Sequence, residues 1–65
     1  MKIGDLIMGN TRGHTGRYST YIIVDDATNR DGMPCWRLIG TNKSGYEFNG
    51  LLSFEFVDRH FKVIS

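Results

Sequence analysis

The chain has a single cysteine, a single proline and no long apolar run. Cys35 alone cannot form an internal disulfide, and a small fold without disulfides is typical of a reducing compartment. Apolar runs such as 22–24 are far shorter than the roughly 20 residues that a membrane span needs. The first residues also lack the apolar segment of a secretion signal. We therefore expect a cytoplasmic protein that has no membrane contact.

The chain is also short and carries little net charge. Its 65 residues predict one domain, spanning 1–65, and a domain this small buries only roughly 60% of the surface of its unfolded chain. A net charge of +1 gives no global field that would attract nucleic acid. No acidic residue occurs between Asp5 and Asp25, whereas residues 25–31 hold three aspartates and one arginine, a net −2. One loop is therefore basic and the next acidic, which suits a mixed-charge protein partner at least as well as a polyanion.

Few residues are available for catalysis, metal binding or a cofactor. No recognisable site signature surrounds Cys35, so we do not expect a nucleophile activated by His14 or His60. One cysteine and two histidines at unrelated spacings do not form a zinc site, and the acidic segment 25–31 lacks the alternating ligands of a calcium loop. We expect no enzyme activity, no catalytic or metal-binding residue and no cofactor.

The chain is rich in glycine and in β-branched and aromatic residues, which predicts an all-β fold. Alternating residues predict five short strands, and both faces of the second carry apolar side chains, which places that strand at the centre of the sheet. The predicted strand ranges are 3–8, 18–25, 35–41, 46–48 and 61–64. Turns are expected between them, at 9–17, 27–34 and 41–45.

Asn49-Gly50 is the strongest short-range hairpin signal in the chain, because a type I′ turn needs positive φ at both central positions. We therefore expect a tight reversal there. It would separate the fourth predicted strand from the C-terminal segment.

Residues 53–61 are ambiguous between strand and helix. Phe54 and Phe56 alternate as in a strand, whereas Phe54, Val57 and Phe61 have the spacing of one helical face. We favour a short strand end followed by one helical or 3₁₀ turn at 57–60. Five short strands with one such turn before the last is the plan of an SH3-like small barrel.

Residues 9–17, GNTRGHTGR, hold three glycines and two arginines. No lysine follows any of these glycines and a strand comes next, so the segment is not a nucleotide phosphate loop. Its glycine spacing also differs from the dinucleotide-binding fingerprint. We expect the glycines to serve a backbone that turns between two strands.

The spacing of this loop resembles the KOW motif, which occurs in SH3-like barrels of ribosomal proteins and transcription elongation factors. The residues that fit the pattern are Gly9, Arg12, Gly13, Gly16 and Tyr18, with Gly4-Asp5 as its opening. The resemblance covers residues 4–24, and Arg12 stands where the family usually has lysine. It implies an SH3-like barrel that contacts RNA or a nucleoprotein. The two ends of the chain also resemble small SH3-like proteins encoded by bacteriophages.

Six residues are candidates for a binding surface, because arginine and aromatic side chains form interface hot spots and stack on bases. They are Arg12, His14, Arg17, Tyr18, Tyr21 and Arg37. The leading hypothesis is a small regulatory module that binds a protein, as a bacteriophage modulator of a host protein would. We expect a monomer or a weak homodimer.

The alternative hypothesis is binding of RNA, DNA or a nucleoprotein through the KOW-like loop. Arg12 and Arg17 would then contact phosphates, with His14 or Tyr18 near a base. The near-neutral total charge favours the protein partner, since nucleic-acid affinity depends on many phosphate contacts.

Overall fold

The computed structural model describes all 65 residues, which form one five-stranded antiparallel sheet and a single helix. The elements are β1 (Leu6–Arg12), β2 (Tyr18–Thr28), β3 (Pro34–Thr41), β4 (Glu47–Ser53), α1 (Phe54–His60) and β5 (Phe61–Val63). The strand order is β4-β3-β2-β1-β5, so the predicted all-β class and the central position of β2 are confirmed. The sheet is open, with β4 and β5 as its edges. No helix has the length and apolarity that crossing a membrane requires.

Alternation of side chains along the strands gives the sheet two faces, and α1 covers one of them. This covered side, the inner face, carries the core. Its members are Ile7, Tyr21, Ile23, Trp36 and Leu38, together with Val57 of α1, and Phe48, Leu52, Phe54 and Phe61 pack against them. The other side, the outer face, has no second layer, and Ile22 and Ile39 stand exposed on it.

Helix α1 begins where Ser53 caps it, since the Ser53 Oγ accepts a hydrogen bond from the Phe56 amide at 3.1 Å. The helix therefore starts at Phe54, earlier than the predicted turn at 57–60. Val57 is fully buried, and Phe54 stacks on Trp36 with ring centroids 4.2 Å apart. The chain is thus helical from Phe54, where a strand end is predicted, and Phe61, the third residue of the helical spacing, already belongs to β5.

Three hairpin turns share one backbone form, at residues 13–16, 29–32 and 42–45. In each, the amide of the fourth residue, a glycine, donates to the carbonyl of the first at 2.9–3.1 Å. These glycines, Gly16, Gly32 and Gly45, have φ between +75° and +89°. A type I turn followed by one left-handed residue has this form, and glycine adopts that conformation at the lowest cost.

The predicted reversal at Asn49-Gly50 is wrong. Both residues lie inside β4, where Asn49 pairs with Ile39 and Gly50 with Leu38. The chain has already reversed at 42–45, where the Asn42 Oδ1 accepts from the amides of Ser44 and Tyr46 at 3.0 Å. Once that turn fixes the register, residues 47–53 form a full ladder with β3, and a second turn would break it.

The first strand lies later in the chain than predicted, and the loop after it is shorter. Gly4 has φ +95° and precedes the strand, whereas Gly9 is inside it. Neither Gly9 nor Gly13 has a positive φ. A Cβ at Gly9 would collide with the Ser19 Oγ, and one at Gly13 with the Lys43 carbonyl oxygen. These two glycines therefore permit close packing rather than turning, contrary to prediction.

The assignment of faces predicts unequal costs for two adjacent leucine-sized residues. Leu38→Ala removes a fully buried side chain and should lower the free energy of unfolding by about 2–5 kcal/mol. Ile39→Ala, one residue along on the outer face, should cost less than about 1 kcal/mol. Urea unfolding of both variants measures the difference, and equal losses would show that the faces are assigned incorrectly.

Candidate functional site

Four of the predicted binding residues lie together on the first hairpin. Arg12 pairs with Tyr18 across the strands, and its guanidinium lies 5.8 Å from the centroid of the Tyr18 ring, within cation–π range. His14 and Arg17 are exposed in the loop between them. The Tyr18 ring thus holds Arg12 against the sheet, while the side chains of His14 and Arg17 extend into solvent.

This loop is docked on the turn between β3 and β4. The Thr15 hydroxyl donates to the Lys43 carbonyl oxygen at 2.8 Å, and Gly13 packs against the same backbone. The contact brings Lys43 next to the loop, although 28 positions separate it from Thr15 in the chain. The four residues Arg12, His14, Arg17 and Lys43 are called the basic end below. The sequence pattern missed Lys43, because only the tertiary contact places it there.

The outer face continues from the basic end as a strip of exposed apolar side chains. Its members are Tyr18, Ile22, Val24 and Ile39, each 37–44% exposed. Ile22 and Ile39 are direct cross-strand partners on β2 and β3, and Tyr18 and Val24 lie on β2 on either side of Ile22. We call these four residues the apolar strip.

Arg37 lies at the far end of the apolar strip, opposite Asp25 on β2. The strand rise places it about 20 Å from Tyr18 and Arg12. The one ion pair in the chain joins Arg59 to Glu55 at 3.0 Å, so neither Arg12 nor Arg37 has a carboxylate partner. The strip therefore lies between Arg12 and Arg37, neither of which forms an ion pair, although Asp25 faces Arg37 across the strands.

Tyr21 does not belong to this surface. It points to the inner face and is 5% exposed, with its ring centroid 5.2 Å from that of Phe48 and 5.7 Å from that of Phe61. Of the two tyrosines on β2, Tyr18 is thus the exposed one. Tyr21 instead lines a groove on the inner face.

The other chemically reactive groups are dispersed. Cys35 is buried at 2% exposure, and its thiol lies 3.5 Å from the Met33 carbonyl oxygen, to which it donates. No three side chains among histidine, cysteine, aspartate and glutamate are grouped in a way that could hold a metal ion.

Comparison of the chain with protein-family models, curated proteins and solved structures finds no match in any of the three. The resemblance to KOW motifs therefore remains one of glycine and arginine spacing.

Tyr21 gives the fold a predicted alkaline limit. Burial raises the pKa of its phenol above the ordinary value of about 10, and a hydrogen bond with the Ser19 side chain opposes part of this rise. As the pH rises past about 10, the Tyr21 phenol loses its proton in the unfolded chain before it does so in the folded chain, so the free energy of unfolding falls. Tyr21→Phe should flatten the decline of the unfolding free energy between about pH 9 and pH 11. Tyr46→Phe, at an exposed turn position, is the control and should leave the slope unchanged.

Proposed function

We propose that this protein is a non-enzymatic binding module that attaches to another protein through its outer face. The observation that carries the proposal is the apolar strip, four large exposed side chains on one face of β2 and β3 with no second layer over them. Exposed apolar surface of this kind, with tyrosine and arginine at its ends, has the composition of interface hot spots.

The partner surface would be apolar at its centre and acidic at the end that meets Arg12. Arg12 has no ion-pair partner within the chain, whereas Arg37 lies opposite Asp25, at the start of the acidic segment 25–31. An acidic group on the partner would pair with Arg12, and this charge pair would fix the orientation of the complex. A regulatory protein of this size would act by covering or reshaping a site on its target, as a modulator of a host protein encoded by a bacteriophage would do in the cytoplasm.

We further propose that this open five-stranded sheet is related to the SH3-like small barrel. The strand order, with β5 beside β1 and a short helix before β5, supports this relationship. The apolar core lies on the inner face of the sheet, which corresponds to the interior of a small barrel.

The protein-binding proposal is tested by affinity capture from a lysate with a double variant, Ile22→Glu with Ile39→Glu. Two carboxylates in the apolar strip should lower recovery of a stoichiometric partner at least tenfold, because they would be buried without counterions. Met33→Glu with Tyr46→Glu, at exposed turn positions, is the matched control and should recover the partner fully. Thermal melts check that both variants fold. Equal recovery by both double variants would refute the use of the outer face.

A second candidate function is binding of RNA or DNA by the basic end. The Thr15–Lys43 contact supports it, since it adds a fourth basic residue to the three in the loop. A surface this small makes few phosphate contacts, so binding would weaken steeply with salt.

A gel-shift titration at near-physiological salt tests this second candidate. Arg12→Ala with Arg17→Ala should abolish a shift that depends on the basic end, whereas Lys2→Ala with Arg30→Ala removes two charges elsewhere and should leave it intact. No shift with RNA or DNA would rule out this function. Tight binding that only the first double variant loses would favour it over the protein partner.

A further inference from the structure

The inner face contains a groove that the outer-face proposal does not use. Its volume is about 530 Å³, within the range of sites that hold small ligands or a few residues of peptide. Tyr21, Phe48 and Phe61 line it, and their rings already pack on one another at 5.2 and 5.7 Å. This aromatic wall is part of the core, so it keeps its shape without an occupant.

The polar lining of the groove has one sign of charge. None of its thirteen lining residues is acidic, whereas Lys43 and His60 are among them. The Lys43 ammonium has no ion-pair partner. An occupant with a negative charge would provide one in a partly enclosed site, where such contacts are stronger than in open solvent.

Asn42 adds a donor next to Lys43. Its Oδ1 already accepts two backbone hydrogen bonds, from Ser44 and Tyr46, both at 3.0 Å. The turn therefore fixes the amide orientation and leaves the Nδ2 group to donate. An amide donor beside an ammonium is a suitable pair for the two oxygens of a carboxylate.

The contact between the two loops lies next to the groove. Residues 9–11 and residues 42–44 both contribute to the groove lining. Thr15 and Gly13 contact the backbone of Lys43, so the loop and the turn meet there. This contact holds the backbone of Lys43 in place beside the groove.

We propose that the inner groove binds the C-terminal residue of a partner polypeptide whose last side chain is apolar. The apolar side chain packs on Tyr21, Phe48 and Phe61. The terminal carboxylate accepts hydrogen bonds from the Lys43 ammonium and the Asn42 amide. This site is separate from the outer face, so it does not depend on the protein-binding proposal made above.

The test is an NMR titration of the ¹⁵N-labelled protein with pentapeptides that end in leucine or phenylalanine, each prepared as the free acid and as the C-terminal amide. The free acids should shift the amide signals of Tyr21, Lys43 and Phe48 and bind about tenfold more tightly than the amides, the size of effect expected from one charge-assisted hydrogen bond. Lys43→Gln should remove this preference, whereas Lys62→Gln on β5 should retain it. The Ile22→Glu, Ile39→Glu double variant should bind the peptides as the unmodified protein does.

Three results would overturn the proposal. The first is equal binding of the free-acid and amide peptides. The second is an equal loss of the preference for the free acid in Lys43→Gln and Lys62→Gln. The third is binding of 3-phenylpropionate as tightly as the pentapeptides, which would identify a site for small aromatic acids instead of a chain terminus.

Discussion

One helix of seven residues has to cover a five-stranded sheet, and it can cover only one face. Val57 is the residue through which this packing acts, since it is the one fully buried side chain of α1. The core, the groove beside the helix and the bare outer face all follow from this single-sided packing.

The structure places the two candidate surfaces back to back. The outer face offers apolar residues between two unpaired arginines, and the inner groove offers aromatic rings beside a lysine and an amide. Because side chains alternate along β2, Tyr18 serves the first surface and Tyr21 the second. The central strand β2 therefore contributes residues to both candidate surfaces, because both of its faces carry apolar side chains.

The sequence was sufficient to predict the fold class, the central strand and a helical turn before the last strand, because these depend on local periodicity. It was insufficient at Asn49-Gly50, where a strong local turn signal is overridden by the ladder that β3 imposes on β4. The repeated form Asn-x-x-Gly at 29–32 and 42–45 was the better signal, since each asparagine caps its own turn. Gly9 and Gly13 show the same limit, because their neighbours Ser19 and Lys43 are brought near by the tertiary fold. Of the candidate site, the arginines and Tyr18 were found from residue type, whereas Lys43 required the docked loop.

Lys43 contributes to both the loop contact and the groove. Its carbonyl oxygen accepts the hydrogen bond by which Thr15 holds the first hairpin loop, and Lys43 is also one of the residues that line the groove. A ligand that orders this residue from one side also orders it for the other, and such coupling is reciprocal by thermodynamic necessity. Ligands bound at the basic loop and in the groove would therefore be coupled through Lys43.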